Sequence, residues 1–332
     1  MLTLAKIGTQ EKHIPILLDS LRVDTLLDFD LHIMVHSNLV LYRSADLPFD
    51  EANRQKLLEN KVERLYVASE YREKYQKYIE SNLGSILDDP TVDANQKANV
   101  LYETSTNLVK DVLSNPTLGE NIHRSKNLVT NTVEYILKGR ESFLNMLRTA
   151  SFDYHLYTHS VNVCTFSIAL AQQLGHQDKK FLNELGLGSL LHDVGKSKIS
   201  ERILYKRTAL NKTEFEIMKK HPQWGVDILS LTNAIPAASY YPVLQHHERG
   251  DRSGYPKGLS LDEMHIYSKI VAVADSFDAM TTERVYQKAI ESYPALKLML
   301  SMKNVFDPEC LRCFVELMGP QGAEDTELNF PS

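Results

Sequence analysis

The stretch LGLGSLLHDVGK, residues 185–196, combines an apolar helical pattern with a polar end. It predicts a helix that finishes on the pair His192-Asp193. Adjacent side chains on a helix diverge by about 100°, yet both can reach a cation lying across the helix end. A carboxylate can bridge two cations and a neutral imidazole binds one, so the pair suits a two-metal centre. The alternative is a helix-terminal polar pair with Gly195 as its cap.

Histidines elsewhere in the second half of the chain favour the metal interpretation. Eight of the twelve histidines fall between His155 and His265. Asp275 interrupts a run of Ile, Val and Ala, where a carboxylate is costly to bury without a cation or a hydrogen-bond partner. Each histidine alone is better explained as an ordinary core or surface residue. Six groups spread over successive helices are harder to explain separately: His159, His192, His221, His246, His247 and Asp275.

The two ends of the chain differ in their predicted secondary structure. From residue 150 onward one helical pattern follows another, whereas in DFDLHIMVHSNLVLYR, residues 28–43, alternating residues and a Ser37-Asn38 turn predict a β-hairpin. We therefore expect a mainly α protein. Its predicted parts are a small α/β or mostly β domain at 1–80, a helical connector at 81–145 and an all-α domain at 146–325.

Composition and charge restrict the classes of partner. A formal net charge of −6 argues against a DNA or RNA polymer, which usually attracts basic proteins. No apolar run is long enough to cross a membrane and no secretion signal is evident, so we expect a cytoplasmic protein without membrane contact. Cys310 and Cys313 form a CxxC within an amphipathic helical pattern and are interpreted as buried thiols. These features leave the oligomeric state open.

Five motifs together resemble the HD-GYP family, the branch of HD phosphohydrolases associated with cyclic di-GMP hydrolysis. They are HLYTHS, HDVGK, KKHP, HHERGDRSGYP and VAVADSFDAMTTER, and their order and approximate spacing are those of the family over residues 145–320. The resemblance implies that residues 146–325 form an all-α HD-type catalytic domain and that residues 1–80 form a regulatory or adaptor domain. The N-terminal segment is similar, more weakly, to a short domain often found before HD-GYP modules.

The resemblance also implies a metal centre. Its ligands would be His159, His192, Asp193, His221, His246, His247 and Asp275. Asp193 would bridge two metals, and Lys196 would lie beside the reactive phosphate. Some members bind a third metal through a glutamate four residues before the first histidine. His155 occupies that position here, either as a further ligand or as a surface residue. A His-rich site suits iron, manganese or zinc, and the family favours iron or manganese.

Residues on the substrate side match the family less completely. Arg284 occupies a basic position suited to a phosphate contact. Three residues later the family usually has a second basic residue, whereas this chain has Gln287 followed by Lys288. Tyr255 would stack on guanine, contact phosphate or only pack the loop. Arg252 stands where the family has a glycine, so a positive φ at that position would force the arginine to strain or reshape the loop.

Three functional hypotheses follow from the resemblance. The first is a metal-dependent cyclic di-GMP phosphodiesterase that hydrolyses the 3′-5′ phosphodiester to pGpG, GMP or both. The second is a catalytically weakened module that binds cyclic di-GMP and contacts GGDEF-type or other signalling proteins through the GYP loop, the loop that contains Gly254-Tyr255-Pro256. It is motivated by Arg252, by Gln287 and by Gly250, which replaces a bulky residue of the family. The third is an HD phosphohydrolase acting on another cyclic dinucleotide.

Overall fold

The computed structural model describes residues 12–23, 25–150, 155–283 and 288–319. The chain divides into two compact units, Met1–Thr104 and Ser105–Ser332. The division into three parts expected from the sequence, with boundaries at residues 80 and 145, remains a prediction. Among the described residues, no helix combines the length and the apolar character needed to span a membrane.

A small antiparallel sheet characterises the N-terminal unit. Its strand order is β1-β6-β3-β4, and β2 pairs separately with β5. The strands are β1 His13–Leu17, β2 Thr25–Leu26, β3 Leu31–Val35, β4 Asn38–Arg43, β5 Pro48–Phe49 and β6 Arg64–Ala68. The helices that begin in this unit are α1 Glu51–Glu59, α2 Arg72–Asp88 and α3 Ala94–Ser114.

The predicted hairpin forms between β3 and β4, but its turn lies one residue earlier than expected. Val35 pairs with Asn38, so His36 and Ser37 are the two turn residues. Both have positive φ, 47° and 70°, as a two-residue turn needs to match the twist of its strands. The sequence pattern suggested Ser37-Asn38 because serine and asparagine are common turn residues, whereas pairing in the sheet fixes the register.

The C-terminal unit is helical among its described residues. Its α-helices are α4 Gly119–Leu137, α5 Arg140–Thr149, α6 Leu156–Gln173, α7 Lys179–Leu190, α8 Glu201–Leu204, α9 Lys212–Met218, α10 His221–Ser230, α11 Tyr240–Gln245, α12 Ile266–Thr281, α13 Ser292–Ser301 and α14 Pro308–Met318. A short 3-10 helix, Val194–Lys198, follows α7. The mainly α fold class is therefore confirmed. Cys310 and Cys313 are buried free thiols in α14, as predicted.

Helices α6 and α12 form the centre of this unit. Almost every residue of α6 is buried, as is most of α12, so both helices lie in the core of this unit. The Phe166 ring of α6 lies 5.7 Å from Phe277 of α12, and the Phe314 ring of α14 lies 5.1 Å from Phe277. This aromatic cluster holds together the two helices that carry His159 and Asp275.

The absence of a side chain at Gly195 allows the 3-10 helix to approach α10 at backbone contact. A Cβ atom at Gly195 would lie 1.9 Å from the carbonyl oxygen of His221 and 2.6 Å from the backbone nitrogen of Gly225. Backbone atoms cannot move aside as a flexible side chain can. Glycine at 195 therefore brings the segment that follows His192-Asp193 next to the first residue of α10.

Replacing Gly195 by alanine tests this close approach. We expect Gly195→Ala to lower the free energy of unfolding by about 2 kcal/mol or more, because two backbone segments must separate. Urea unfolding followed by the fluorescence of Trp224, the sole tryptophan, reports on α10 directly. Gly119→Ala is the matched control, since its Cβ atom would meet nothing within 4 Å. Equal urea midpoints for the two variants would contradict the account.

Candidate metal centre

Two groups of histidine and aspartate side chains in the helical unit are spaced as metal ligands. The first group is Asp193, His221, His246 and His247, and the second is His159, His192 and Asp275. Within each group, the candidate ligand atoms lie within 4.8 Å of one another. Together the two groups contain every residue to which the resemblance assigned a ligand role, apart from the additional candidate His155.

Most of these side chains lie at or next to helix ends. The residues are distributed as follows: His159 in the first turn of α6, His192-Asp193 after α7, His221 at the start of α10, His246-His247 after α11, and Asp275 within α12. The carbonyl groups of the last helical turn lack intrahelical partners. A histidine that follows such a turn can satisfy one of these carbonyls with its ring.

Three histidines make such a contact with a helix-end carbonyl, and the contact determines which ring nitrogen carries the proton. In each case Nδ1 lies within hydrogen-bond distance of a backbone carbonyl oxygen three or four residues earlier. The pairs are His192 to Ser189 at 2.7 Å, His221 to Met218 at 2.7 Å and His246 to Pro242 at 2.8 Å. A carbonyl oxygen only accepts, so Nδ1 must carry the proton. In the neutral imidazole, Nε2 then carries a lone pair and is available to bind a cation.

The Nε2 atoms meet in facing pairs. His192 Nε2 lies 3.3 Å from His159 Nε2, and His221 Nε2 lies 3.1 Å from His246 Nε2. Two lone pairs at such a distance repel unless a proton or a cation lies between them. The donor set thus has the orientation, as well as the composition, that a cation site requires.

The Asp193 carboxylate lies between these two pairs. Its Oδ2 atom is 3.3 Å from His192 Nε2 and 3.5 Å from His159 Nε2. Its Oδ1 atom is 3.2 Å from His221 Nε2 and 3.7 Å from His246 Nε2. Oδ1 is buried and has no hydrogen-bond partner, which fits an Nε2 atom that holds no proton. A buried carboxylate oxygen without a donor is expected where a cation binds.

The electrostatics place the aspartates in the protonation state that ligation needs. Burial raises the pKa of Asp193, but the positive charge of Lys196 outweighs this effect and holds the pKa well below its usual range. Lys196 Nζ donates to Asp193 Oδ2 at 2.5 Å. Burial also opposes ionisation of Asp275, yet the hydrogen bond from His159 keeps its pKa well below the ordinary value. Both carboxylates are therefore ionised at neutral pH.

The histidines divide into two classes by charge. Burial lowers the pKa of His246 to about 4 and that of His247 well below its ordinary value, so both are neutral at pH 7. His159 differs: burial lowers its pKa, but Asp275 and Asp278 outweigh burial and raise it to about 9. Without a cation, a proton on His159 balances the charge of the neighbouring carboxylates. A cation at this position would replace that proton.

Asp278 contacts the cluster, and the sequence analysis did not identify it as a candidate site residue. It is buried on α12, and its Oδ2 atom lies 2.6 Å from Nδ1 of His159. Its Oδ1 atom accepts a hydrogen bond from Asn162 at 2.8 Å. A carboxylate that receives the second ring N–H of a ligating histidine fixes the orientation of the ring. The available signal was its spacing of three residues from Asp275, which places both carboxylates on the same side of α12.

Glu248 was also missed, and it anchors the GYP loop. Its carboxylate is fully buried and accepts hydrogen bonds from the backbone N–H groups of Lys257 at 2.7 Å and Leu259 at 2.9 Å. Within this loop, Tyr255 packs against His247, with ring centroids 4.7 Å apart. The loop is thus attached to the cluster by a buried ionisable side chain directly after His246-His247.

The remaining predicted residues lie in different environments. Arg252 has a φ of 67°, so a non-glycine residue occupies the left-handed region, and its guanidinium group pairs with Glu263 at 3.0 Å. His155 is exposed at the N-cap of α6, stacks on Tyr157 and belongs to neither cluster. Lys288 is exposed. Two further residues, Arg284 and Gln287, lie outside the described residues.

Comparison with known proteins identifies similar chains. The family model described as HD domain matches residues 136–310, more than half of the sequence. The cyclic di-GMP phosphodiesterase PA4108 of Pseudomonas aeruginosa is 36% identical over 201 residues, which cover 60% of this chain and 48% of that protein. The 3′3′-cGAMP-specific phosphodiesterase 3 of Vibrio cholerae is 31% identical over 171 residues, covering 51% and 37%. The chain therefore spans less than half of either relative.

A solved structure shows the same fold. Bd1817, an HDGYP protein from Bdellovibrio bacteriovorus, superposes with a TM-score of 0.64 and covers 92% of this chain and 99% of its own. The sequence identity is 24%.

Replacing Asp278 by asparagine tests its role beside His159. Two donors, His159 Nδ1–H and the Asn162 amide, point at its two oxygens, and an asparagine side chain supplies a single acceptor oxygen. We expect Asp278→Asn to weaken Mn²⁺ binding by about 10- to 100-fold, measured by calorimetry on the metal-stripped protein. Asp227→Asn, on the exposed side of α10, is the matched control. Unchanged Mn²⁺ affinity in Asp278→Asn would exclude the role.

Proposed function

Since this chain belongs to the HD domain family, we propose that it is a metal-dependent phosphodiesterase that hydrolyses cyclic di-GMP to pGpG, GMP or both. The observation that carries the proposal is the position of Asp193. Each of its carboxylate oxygens faces a different pair of imidazole nitrogens, at distances of 3.2 to 3.7 Å. A carboxylate with this surrounding is suited to bridging two cations.

Two divalent transition-metal ions, iron or manganese, are part of the proposal. The proposed ligands are His159, His192, Asp193, His221, His246, His247 and Asp275. Nitrogen-rich ligand sets favour such ions over magnesium and calcium. We do not include His155 as a ligand, because its side chain caps α6 and its ring stacks on Tyr157 at the surface.

The chain's own residues have separate roles in the proposed reaction. When bound, two metal ions supply Lewis acidity that makes water a nucleophile at neutral pH and neutralises charge on the phosphate. The Asp193 carboxylate would be a ligand shared by both metal sites, because its two oxygens face the two histidine pairs. The Lys196 ammonium group, which contacts Asp193 and remains slightly exposed, is suited to contact a phosphate oxygen as a point charge. Arg284 and Lys288 are proposed as further phosphate contacts.

A second candidate function rests on the GYP loop. Arg252 adopts a positive φ and pairs with Glu263, so its guanidinium group is directed to another part of the loop. A loop altered in this way favours a module that binds cyclic di-GMP and contacts a signalling protein with little turnover. Another cyclic dinucleotide is a third possibility, since one of the similar proteins is named as specific for 3′3′-cGAMP.

The N-terminal unit belongs to the proposal as a regulatory or adaptor domain. Its small sheet contains none of the clustered ligands, all of which lie between residues 159 and 275. The predicted boundaries at 80 and 145, and the cytoplasmic location predicted from the sequence, are part of the same proposal.

Replacing Asp193 by asparagine tests the proposed function. We expect the protein purified without oxygen to contain about two iron or manganese ions and to convert cyclic di-GMP to pGpG or GMP. Asp193→Asn should lower the metal content and reduce turnover by at least ~10³-fold, because a charged ligand that both sites share is lost. Asp227→Asn is again the matched control. Elemental analysis and product chromatography measure both effects.

Chromatography with 3′3′-cGAMP in parallel separates the alternatives. Hydrolysis of 3′3′-cGAMP alone would favour the third possibility, and tight binding of cyclic di-GMP without turnover would favour the binding module. A metal-loaded protein that leaves both dinucleotides intact would rule out the phosphodiesterase.

A further inference from the structure

Phe215 is an exposed aromatic residue at the edge of the metal cluster. It lies on α9, six residues before His221, and 44% of its surface is accessible. A single exposed apolar side chain is ordinary on a protein surface. The position of this ring relative to the GYP loop is what gives it significance.

The Phe215 ring is paired with the Tyr255 ring of the GYP loop. The two centroids are 6.4 Å apart and the planes are inclined by 79°, an edge-to-face arrangement. The Tyr255 ring also lies 4.7 Å from the His247 ring with an inclination of 31°, and 6.4 Å from the His221 ring. A continuous aromatic surface therefore leads from the cluster, through Tyr255, to the exposed Phe215.

The loop half of this surface is held rigidly. The backbone N–H of Tyr255 donates to the carbonyl oxygen of His247 at 3.1 Å. A Cβ atom at Gly254 would lie 2.3 Å from the backbone nitrogen of Arg249, so the loop folds tightly back on itself. Together with the Glu248 anchor, these contacts fix Tyr255 over His247.

The helix half is fixed as well. A capping box between Asn211 and Glu214 begins α9, with hydrogen bonds of 2.9 Å and 2.8 Å. The Lys219 ammonium group lies 5.0 Å from the centre of the Phe215 ring and is held by Glu216 at 2.8 Å. Neither half needs to reorganise to present a flat apolar surface beside the site.

We propose that Phe215 is a stacking platform for a purine base of the substrate, with Tyr255 as the adjoining wall. This inference rests on the proposed function, in which a phosphodiester reacts at the metal cluster. In a nucleotide one ribose separates the base from the phosphate, so the base must bind at the edge of the centre. His247 already covers part of the Tyr255 ring, whereas 44% of the Phe215 surface remains accessible beside the Lys219 ammonium group. Aromatic rings are the common partners of unpaired bases because every base has a π-face.

Binding of GMP and ribose 5-phosphate to the protein as purified tests the platform. The two ligands share the sugar phosphate, and only GMP carries a base. We expect Phe215→Leu to weaken GMP binding by about tenfold, the order that base–aromatic stacking supplies. Phe215→Leu should leave ribose 5-phosphate binding unchanged. Phe215→Trp, which keeps an aromatic ring, should bind GMP as tightly as the unaltered protein. Tyr293→Leu, which removes another exposed aromatic ring, should change neither affinity. Thermal melting verifies that each variant is folded.

The outcomes distinguish this inference from the proposed function. Equal affinities of Phe215→Leu and the unaltered protein for GMP would overturn the platform, whatever the turnover. A parallel loss of ribose 5-phosphate binding would also overturn it, because the effect would then act on the phosphate site. If the unaltered protein hydrolyses no cyclic dinucleotide but Phe215→Leu selectively loses GMP, the platform stands and the phosphodiesterase proposal fails.

Discussion

The buried carboxylate of Asp193 is the constraint on which the helical unit depends. It lies between two pairs of imidazole rings, and burial alone would keep it protonated. The Lys196 ammonium group donates a hydrogen bond to one of the Asp193 oxygens and supplies the positive charge that keeps this carboxylate ionised. An ionised carboxylate with one unpartnered oxygen is stable in a core only where positive charge is close to it. The fold therefore assembles a set of helix ends around one negative charge.

Local backbone geometry provides much of the accuracy of this arrangement. Carbonyl groups near the ends of α7, α9 and α11 accept hydrogen bonds from the Nδ1–H of the histidines that follow them. The same contacts that complete a helix end thus select the tautomer and turn Nε2 toward the cluster. The backbone contact at Gly195 and Gly225 then brings two of these helix ends together. Capping, packing and ligand orientation are consequences of the same few residues.

The helical patterns predicted the mainly α fold, and the resemblance to the HD-GYP family indicated the residues that the structure brings together in the cluster. The residues that were missed have specific physical reasons. His192 and Asp193 are adjacent in a helical pattern, so the local sequence indicated them as candidate ligands and left a helix-terminal polar pair as the alternative. Asp278 and Glu248 acquire their roles from partners 119 and 9 residues away, respectively, and such partners follow from tertiary packing. The turn of the hairpin shifted by one residue because the sheet register outweighed the turn preference of Ser37-Asn38. For Arg252, the sequence analysis expected a strained or reshaped loop if φ at this position were positive. The structure meets this condition, since the φ of Arg252 is positive.

Electron paramagnetic resonance of the protein loaded with two equivalents of Mn²⁺ tests the central claim most directly. If the two oxygens of Asp193 join two cations, the spectrum will be that of an exchange-coupled pair of ions, because a bridging carboxylate links their electron spins. Asp193→Asn will convert it to the spectrum of isolated ions. The spectrum of two magnetically independent ions in the fully loaded, unaltered protein would contradict the account.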